Sequence, residues 1–254
     1  IRMRLKGQGT GQHLDGWGGD GKISYRVKVT RGKSILGLRR FALMSPARRG
    51  YLHSWVFRQA LFEEDIISKR HILARLTING DNKGIYFIDE HFGRHLAEYS
   101  RRPDSVVVRF HNPWEDADTQ VNAVPSNDKI FASTYAESYQ WFETPAYSAY
   151  LQRAIDLLDG FRNERYTVPE VFDVSLFARY FALSDVFGAW HGLSWVNLRF
   201  YFNPITGLLE PVPDDNFDEG IAEVPAERLI RLEDSYTNGK FWKRFLADKQ
   251  FVGN

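Results

Sequence analysis

Residues 196–218, V-N-L-R-F-Y-F-N-P-I-T-G-L-L-E-P-V-P-D-D-N-F-D, predict a β-hairpin with polar groups at its open end. The segment Asn203-Pro204-Ile205-Thr206-Gly207 has the composition of a turn, because Pro presets the first turn residue and Gly tolerates the left-handed conformation. The apolar and aromatic residues on both sides of this turn favour strands. The hairpin therefore folds the two ends of the stretch back onto each other.

This folding places Asn197, which precedes the first strand, near Asp214 and Asp215, which follow the second. An amide oxygen facing carboxylates forms a hard-oxygen site suited to Mg²⁺, which uses one or two carboxylates together with substrate phosphates. Carboxylates after a strand also lie in solvated loops or cap helices. The residue types alone leave both interpretations open.

Composition limits the class of protein. The chain has 254 residues, is 43% hydrophobic and 15% aromatic, and can form a substantial core in one large domain or a two-lobed one. A net charge of +1 argues against a nucleic acid polymer as partner. The lack of cysteine excludes disulfides, thiolate catalysis and Cys-ligated metals. Because no run of about 18 apolar residues occurs, we expect no transmembrane segment.

The N-terminal region combines basic strands with glycine. Residues 1–7 and 22–29 alternate as strands do, and residues 8–21 between them are Gly-rich. One face of the second strand is basic, with Lys22, Arg26 and Lys28. A glycine loop between basic strands is a plausible phosphate cover, because Gly lets backbone N–H groups approach closely. A surface loop and a solvated strand face are the alternative.

The order of the remaining elements predicts the fold class. Residues 73–89 form a hairpin around Asn79-Gly80, and Glu90 follows directly. Helices are predicted over 147–158 and over 173–187, the latter buried. Strands first and helices later predict an α+β fold with two lobes and a cleft between them, and residues 100–145 have no assigned structure.

Five segments, in order, resemble the CotH kinase family of spore-coat-protein-H-like atypical protein kinases. They are R-M-R-L-K-G (2–7), K-I-S-Y-R-V-K-V (22–29), L-T-I-N-G-D-N-K-G-I-Y-F-I-D-E (76–90), D-V-S-L-F-A-R-Y-F-A-L-S-D-V-F-G-A-W-H-G (173–192) and V-N-L-R-F-Y-F-N-P-I-T-G-L-L-E-P-V-P-D-D (196–215). The resemblance covers nearly the whole chain.

This resemblance implies a two-lobed, protein-kinase-like fold in a single domain over residues 1–254. Residues 1–99 would form a β-rich N-terminal lobe, and residues 100–254 a mainly helical C-terminal lobe that carries a metal-binding β-hairpin. The implied activity uses ATP with Mg²⁺ or Mn²⁺ and transfers phosphate to Ser or Thr of a protein substrate. The implied location is the cell envelope or the outside of the cell.

The resemblance also implies roles for individual residues. Metal binding falls to Asn197 and Asp215, with help from Asp214. Glu90 would orient the main phosphate-binding lysine by an ion pair, as kinases require. The candidates for holding the phosphates are basic residues of the N-terminal strands: Lys28 as first choice, Lys22 and Arg26, with Arg2 and Arg4 assisting.

One residue departs from the family pattern. The family has W-D-G where this chain has Trp190-His191-Gly192, and the Asp of that motif accepts the proton of the substrate hydroxyl. A neutral His, with an ordinary pKa of about 6.5, can accept this proton instead. Alternatively, His191 is a core histidine bonded to a carbonyl. The chain is then a pseudokinase or a cell-surface binding module. A separate alternative is a kinase-like enzyme that transfers AMP from ATP.

Overall fold

The structure is a computed structural model that describes residues 1–6, 22–47, 50–92, 94–110, 134–136, 145–194, 197–217 and 239–253. The Gly-rich segment 8–21 lies outside the described residues, as does most of 100–145. The described part is α+β, with two antiparallel sheets and several helices. None of its helices is long and apolar enough to cross a membrane.

The first sheet has five strands in the order β1-β2-β3-β5-β4, all antiparallel. The strands are β1 (Arg2–Leu5), β2 (Tyr25–Lys28), β3 (Arg40–Met44), β4 (His71–Ile78) and β5 (Asp81–Glu90). Helix α1 (Leu52–Glu63) connects β3 to β4. The predicted hairpin of residues 73–89 is confirmed, and its strands are longer than expected at both outer ends.

The strand register sorts side chains onto two faces of this sheet, because residues directly opposite one another share a face and neighbours along a strand alternate. On one face Phe41 packs with Val27, Leu43, Tyr86 and Ile88. We call this the Phe41 face. The other face, which we call the Asp89 face, carries Asp89 and a small cluster that includes Phe87.

The second sheet has four strands in the order β7-β6-β8-β9. They are β6 (Val107–Phe110), β7 (Thr134–Ala136), β8 (Arg199–Phe202) and β9 (Leu209–Val212). Helices accompany it: α2 (Arg94–Tyr99), α3 (Pro145–Arg162), α4 (Val168–Val171), α5 (Val174–Val186), α6 (Gly239–Ala247) and α7 (Lys249–Gly253). A 3₁₀ helix spans Trp190–Leu193.

An aromatic core fixes this second half of the protein. Phe172 contacts Phe177, Phe200 and Phe241 with ring centroids 5.2 to 5.6 Å apart. Helix α5 begins where expected, because the Asp173 carboxylate accepts a hydrogen bond from the backbone N–H of Leu176 at 3.0 Å. The burial of these aromatic side chains holds β8 and the helices against one another.

The hairpin β8–β9 forms as its sequence predicts. Asn203 closes the turn, since its backbone carbonyl accepts from Gly207 N–H at 2.8 Å and its side chain accepts from Ile205 N–H at 2.9 Å. Gly207 has φ of +72°, a conformation that suits glycine. The open end of the hairpin therefore holds residues 197–199 and 212–217 together.

Candidate functional site

Asn197 lies at the open end of this hairpin and joins three segments of chain. Its side-chain Nδ2 donates to the backbone oxygen of His191 at 3.1 Å and to that of Asp215 at 3.4 Å. Both N–H groups of the amide are thereby engaged, and the amide oxygen is the atom left to face a ligand. The structure thus brings Asn197, Asp215 and the 3₁₀ helix of His191 together.

Asp215 turns the chain directly after the hairpin. Its φ is +46°, in the left-handed region, and its side chain is half-buried. Asp and Asn are the non-glycine residues that adopt this conformation most readily. The chain therefore changes direction at Asp215, directly after Asp214.

The Asp214 carboxylate is held by two cations. It contacts the Lys69 ammonium and, at 3.2 Å, the guanidinium of Arg199. Burial by itself would raise the pKa of Asp214, but the charges of Lys69 and Arg199 outweigh it and hold this pKa far below its ordinary value. Asp214 is therefore an ionised structural partner of Lys69, with its charge already balanced.

Lys69 connects this end of the hairpin to the five-stranded sheet. Its ammonium also lies 3.4 Å from the Asp89 carboxylate, whose other oxygen is 3.3 Å from Arg58. The ring nitrogen Nδ1 of His71 is 3.2 Å from the same carboxylate. Burial would raise the pKa of Asp89, but Lys69 and Arg58 hold it well below the ordinary range. We call Arg58, Lys69, Asp89, Arg199 and Asp214 the buried ion cluster.

The expected ion pair between Glu90 and Lys28 is not formed. Glu90 lies opposite Phe41 and so points to the Phe41 face, whereas Lys28 lies opposite Arg40 on the other face. The Glu90 carboxylate instead accepts two hydrogen bonds from the Arg70 guanidinium, at 2.7 and 3.0 Å. The sheet therefore separates the two residues that the sequence analysis paired.

Most of the predicted basic residues share the face of Asp89. Arg26 lies opposite Ala42, which lies opposite Asp89, and Arg4 lies opposite Arg26. With strands about 4.8 Å apart, the Cα atoms of Arg26 and Asp89 are about 10 Å apart. The basic residues on this face are Arg2, Arg4, Arg26, Lys28 and Arg40.

Lys22 does not join them. Its ammonium donates to the backbone oxygen of Ile85 at 3.2 Å and lies 5.6 Å from the centre of the Tyr86 ring. Because Tyr86 belongs to the cluster on the Phe41 face, Lys22 is drawn away from the Asp89 face.

His191 lies in the 3₁₀ helix and is partly exposed. Its backbone oxygen accepts hydrogen bonds from Asn197 and, at 2.7 Å, from the Ser194 hydroxyl. Two side chains thus fix the main chain of His191 beside the open end of the hairpin. The main chain of His191 therefore lies next to the side chain of Asn197.

The oxygen donors suit a magnesium-like ion. Among the described residues no group of three His, Cys, Asp or Glu side chains forms a metal site. Mg²⁺ needs only one or two carboxylates with substrate phosphates, and Asp215 and Asn197 supply hard oxygens. Next to them, the buried Asn216 amide makes no hydrogen bond within the described part of the chain. Buried amides of this kind are usually completed by an ordered water or an ion.

Residues 8–251 match the protein family described as CotH kinase protein. The chain belongs to this family. The match covers nearly all of the sequence, and family membership indicates a kinase-like function. A search of the curated proteins finds no match.

The sequence analysis missed the buried ion cluster of this CotH family member. A signal was available, because extending the predicted hairpin 73–89 outward brings His71 opposite Asp89 and Arg70 opposite Glu90, and Lys69 then lies on the same face as His71. The alternation of faces then assigns Lys69 to Asp89 and Arg70 to Glu90. Arg199 and Arg58 carried no comparable signal, since their partners are distant in sequence.

Proposed function

We propose that this chain transfers phosphate from ATP, with Mg²⁺ or Mn²⁺, to Ser or Thr of a protein substrate. In this proposal residues 1–99 and 100–254 are the two lobes of one kinase-like domain. The cleft between them holds the nucleotide. Asn197 and Asp215 bind the metal, and Arg26 and Arg4, which lie in the same row across the sheet as Asp89, contact the phosphates.

One observation carries the proposal. Lys69 bridges Asp89, on the basic face of the first sheet, to Asp214, which directly precedes Asp215 at the open end of the hairpin. Phosphoryl transfer depends on positioning and on stabilising negative charge more than on covalent chemistry of the protein. Lys69 links a basic sheet face to the segment that carries Asp215. This link supports phosphoryl transfer as the function of the chain.

In this proposal, the contacts of each residue determine its role. Asp215 carries the charge that a metal ion requires, and that ion, when bound, neutralises charge on the phosphates. Asp214 is balanced by Lys69 and Arg199 and therefore positions Asp215. Arg26 faces the phosphates, with Arg4 beside it, whereas Lys28 lies one row further from Asp89 on the same face. Glu90 and Lys22 have no part in the proposal, because each is bound on the Phe41 face.

His191 is proposed to lie near the acceptor hydroxyl and to take its proton. A neutral imidazole suffices because bond formation to the nucleophile is limited in a loose transition state. We expect His191→Ala to lower turnover by about a hundredfold, the usual scale for a general base. His191→Asp, which restores the family motif, should retain turnover, and a full retention of rate in His191→Ala would overturn this role.

The direct test is intact-mass measurement after incubation with ATP and Mg²⁺, with casein and histone as generic acceptors. Gain of phosphate on an acceptor supports the proposal. Gain of AMP identifies the alternative transfer. A chain that is stabilised by Mg-ATP in a thermal shift but modifies nothing is a pseudokinase, and one with neither property is no nucleotide enzyme.

Asp215→Asn is the sharpest variant for this test. Asn tolerates the left-handed backbone at this position, so the fold should be kept while the metal loses its charged ligand. We expect turnover to fall by about a hundredfold or more. The matched control is Asp156→Asn, which removes an exposed carboxylate on α3 that accepts from Gln152. Equal activity of the two variants would contradict the role of Asp215.

A further inference from the structure

A depression of about 410 Å³ opens on the first three strands of the five-stranded sheet and the turn between β2 and β3. Eight of the described residues line it, and of these five are cations and none is acidic. We call it the cationic depression; its cations are Arg2, Lys28, Arg31, Arg39 and Arg40.

Three of these cations form a row across the sheet. Arg2 lies directly opposite Lys28, and Lys28 lies directly opposite Arg40. Like charges at directly opposed positions destabilise a sheet. Within the described residues, none of the five side chains has a hydrogen bond or an ion pair. A row of cations lowers the stability of the sheet when no acidic side chain pairs with it. Such a departure from stable design is typical of a functional site.

Acidic residues are not scarce in this protein, which has 32 of them for 33 Lys and Arg. Elsewhere in the protein, acidic residues form ion pairs with basic ones, since Lys69, Arg70 and Arg102 each have carboxylate partners. Among the residues that the structure describes, the lack of acids around the depression is therefore a property of this place. An anion from another molecule is the natural partner for the charge left there.

We propose that the cationic depression docks an acidic segment of a polypeptide, carried by the protein that accepts phosphate. Arg2, Lys28 and Arg40 lie on the Asp89 face, so the depression continues into the candidate site along one surface. A segment held there presents neighbouring residues of the same chain to that site. The identification of the partner as the acceptor rests on the proposed function, whereas the binding itself does not.

The dimensions favour a short acidic peptide. The volume lies within the range of clefts that hold small ligands. Side chains on one side of an extended peptide repeat about every 7 Å, and the row from Arg2 to Arg40 spans about 10 Å, so two carboxylates can engage it. Nucleic acid binders commonly make about six to ten phosphate contacts, more than five cations supply. The net charge of +1 agrees with this.

The test measures binding by fluorescence anisotropy, with the full chain and no ATP. The probe is a short fluorescein-labelled peptide in which Glu alternates with Ser; its matched control has Gln in place of Glu. We expect the Glu peptide to bind, the Gln peptide not to bind, and the affinity to fall as salt rises. Equal binding of both peptides, or of neither, overturns the proposal.

Variants locate the site. The double variant Arg31→Glu with Arg39→Glu should lower the affinity for the Glu peptide by about tenfold or more, because contacts between charged groups are lost. Arg31→Lys with Arg39→Lys should keep most of the affinity. The control reverses two exposed arginines on and after α3, Arg153→Glu with Arg165→Glu. Melting curves check that each variant is folded, and equal losses in both reversed pairs overturn the location.

Competition identifies the chemistry. Inorganic phosphate and ATP should displace the peptide only weakly, and single-stranded DNA that displaces it at lower concentration would overturn the assignment to a polypeptide. If the chain transfers phosphate but does not bind the Glu peptide, only the proposal of the docking site is contradicted. If the chain binds the Glu peptide through Arg31 and Arg39 but modifies no acceptor, only the proposed function is contradicted.

Discussion

Asp89 and Glu90 are consecutive residues of β5, and their carboxylates lie on opposite faces of the five-stranded sheet. Asp89 binds Lys69 and Arg58 beside the open end of the hairpin. Glu90 binds Arg70 on the other side. The alternation of a β-strand thus gives two adjacent acids separate partners, and only one of them belongs to the candidate site.

Removing the two charges one at a time should separate their effects. Asp89→Asn leaves Arg58 buried without its carboxylate partner, so we expect a loss of about 3 kcal/mol in unfolding free energy and a fall in turnover of about a hundredfold. Glu90→Gln weakens the contact to Arg70 and should lower stability while turnover stays close to wild type. Urea denaturation and steady-state kinetics measure both, and equal losses of turnover would contradict the assignment.

Lys69→Met tests the bridge between the sheet and the hairpin. Two buried carboxylates would lose their shared cation, and we expect unfolding to become easier by about 3 kcal/mol. The control is Lys83→Met, which removes an ammonium 43% exposed and 3.6 Å from the exposed Asp81. Exposed pairs contribute little, so this change should stay within about 0.5 kcal/mol. Similar losses for both lysines would show that Lys69 has no bridging role.

The buried ion cluster should make stability depend on acid. The pKa values of Asp89 and Asp214 are lowered in the folded protein, so their contribution is complete above the ordinary Asp value of 3.8. It is lost as pH falls through the folded pKa values, because protons then bind the unfolded chain more tightly than the folded one. Unfolding free energy should therefore decrease from about pH 5 downward.

Lys69→Met provides the comparison for this prediction. Without the ammonium, the two carboxylates should titrate nearer to their ordinary pKa, and the decrease of stability below about pH 5 should become shallower. Urea denaturation at a series of pH values measures both proteins. Parallel curves for the variant and the wild type would contradict the role of Lys69 in lowering these pKa values.

Gly192→Ala tests the contact between the W-H-G motif and the segment after Asp215. An added Cβ would collide with the Asn216 side chain and lie 2.7 Å from the Tyr180 hydroxyl. Because both neighbours are buried, we expect a loss of about 1–3 kcal/mol and reduced turnover. Gly253→Ala, where a Cβ meets nothing within 4 Å, should change stability by at most about 0.5 kcal/mol. A stable and active Gly192→Ala would show that Asn216 can move freely.

Local sequence predicted the elements because each depends on short-range chemistry. Asn203 to Gly207 specified the turn of the hairpin, and Asp173 specified the start of α5. The same kind of reasoning placed Asn197 beside Asp215, since a hairpin with a known turn has few possible registers. It also placed Arg26 and Lys28 together on one strand face.

Pairing across long distances could not be predicted in this way. The family resemblance implies Glu90 as the partner of the phosphate-binding lysine, and a difference of one residue between Glu90 and Asp89 exchanges the two faces of a sheet. Arg199 and Arg58 were missed because burial, which makes a charge seek a partner, cannot be read from the residue itself.

The sequence by itself determined the two β-hairpins, the start of α5, the family and the presence of oxygen donors at the open end of the second hairpin. Tertiary structure alone decided which charges meet, because Lys69 reaches Asp214 across many intervening residues of chain. Short-range preferences act through neighbouring backbone atoms, and they are therefore written in the local sequence. Ion pairing in a buried site depends on distance and solvent exclusion, which exist only after distant segments of the chain have folded together.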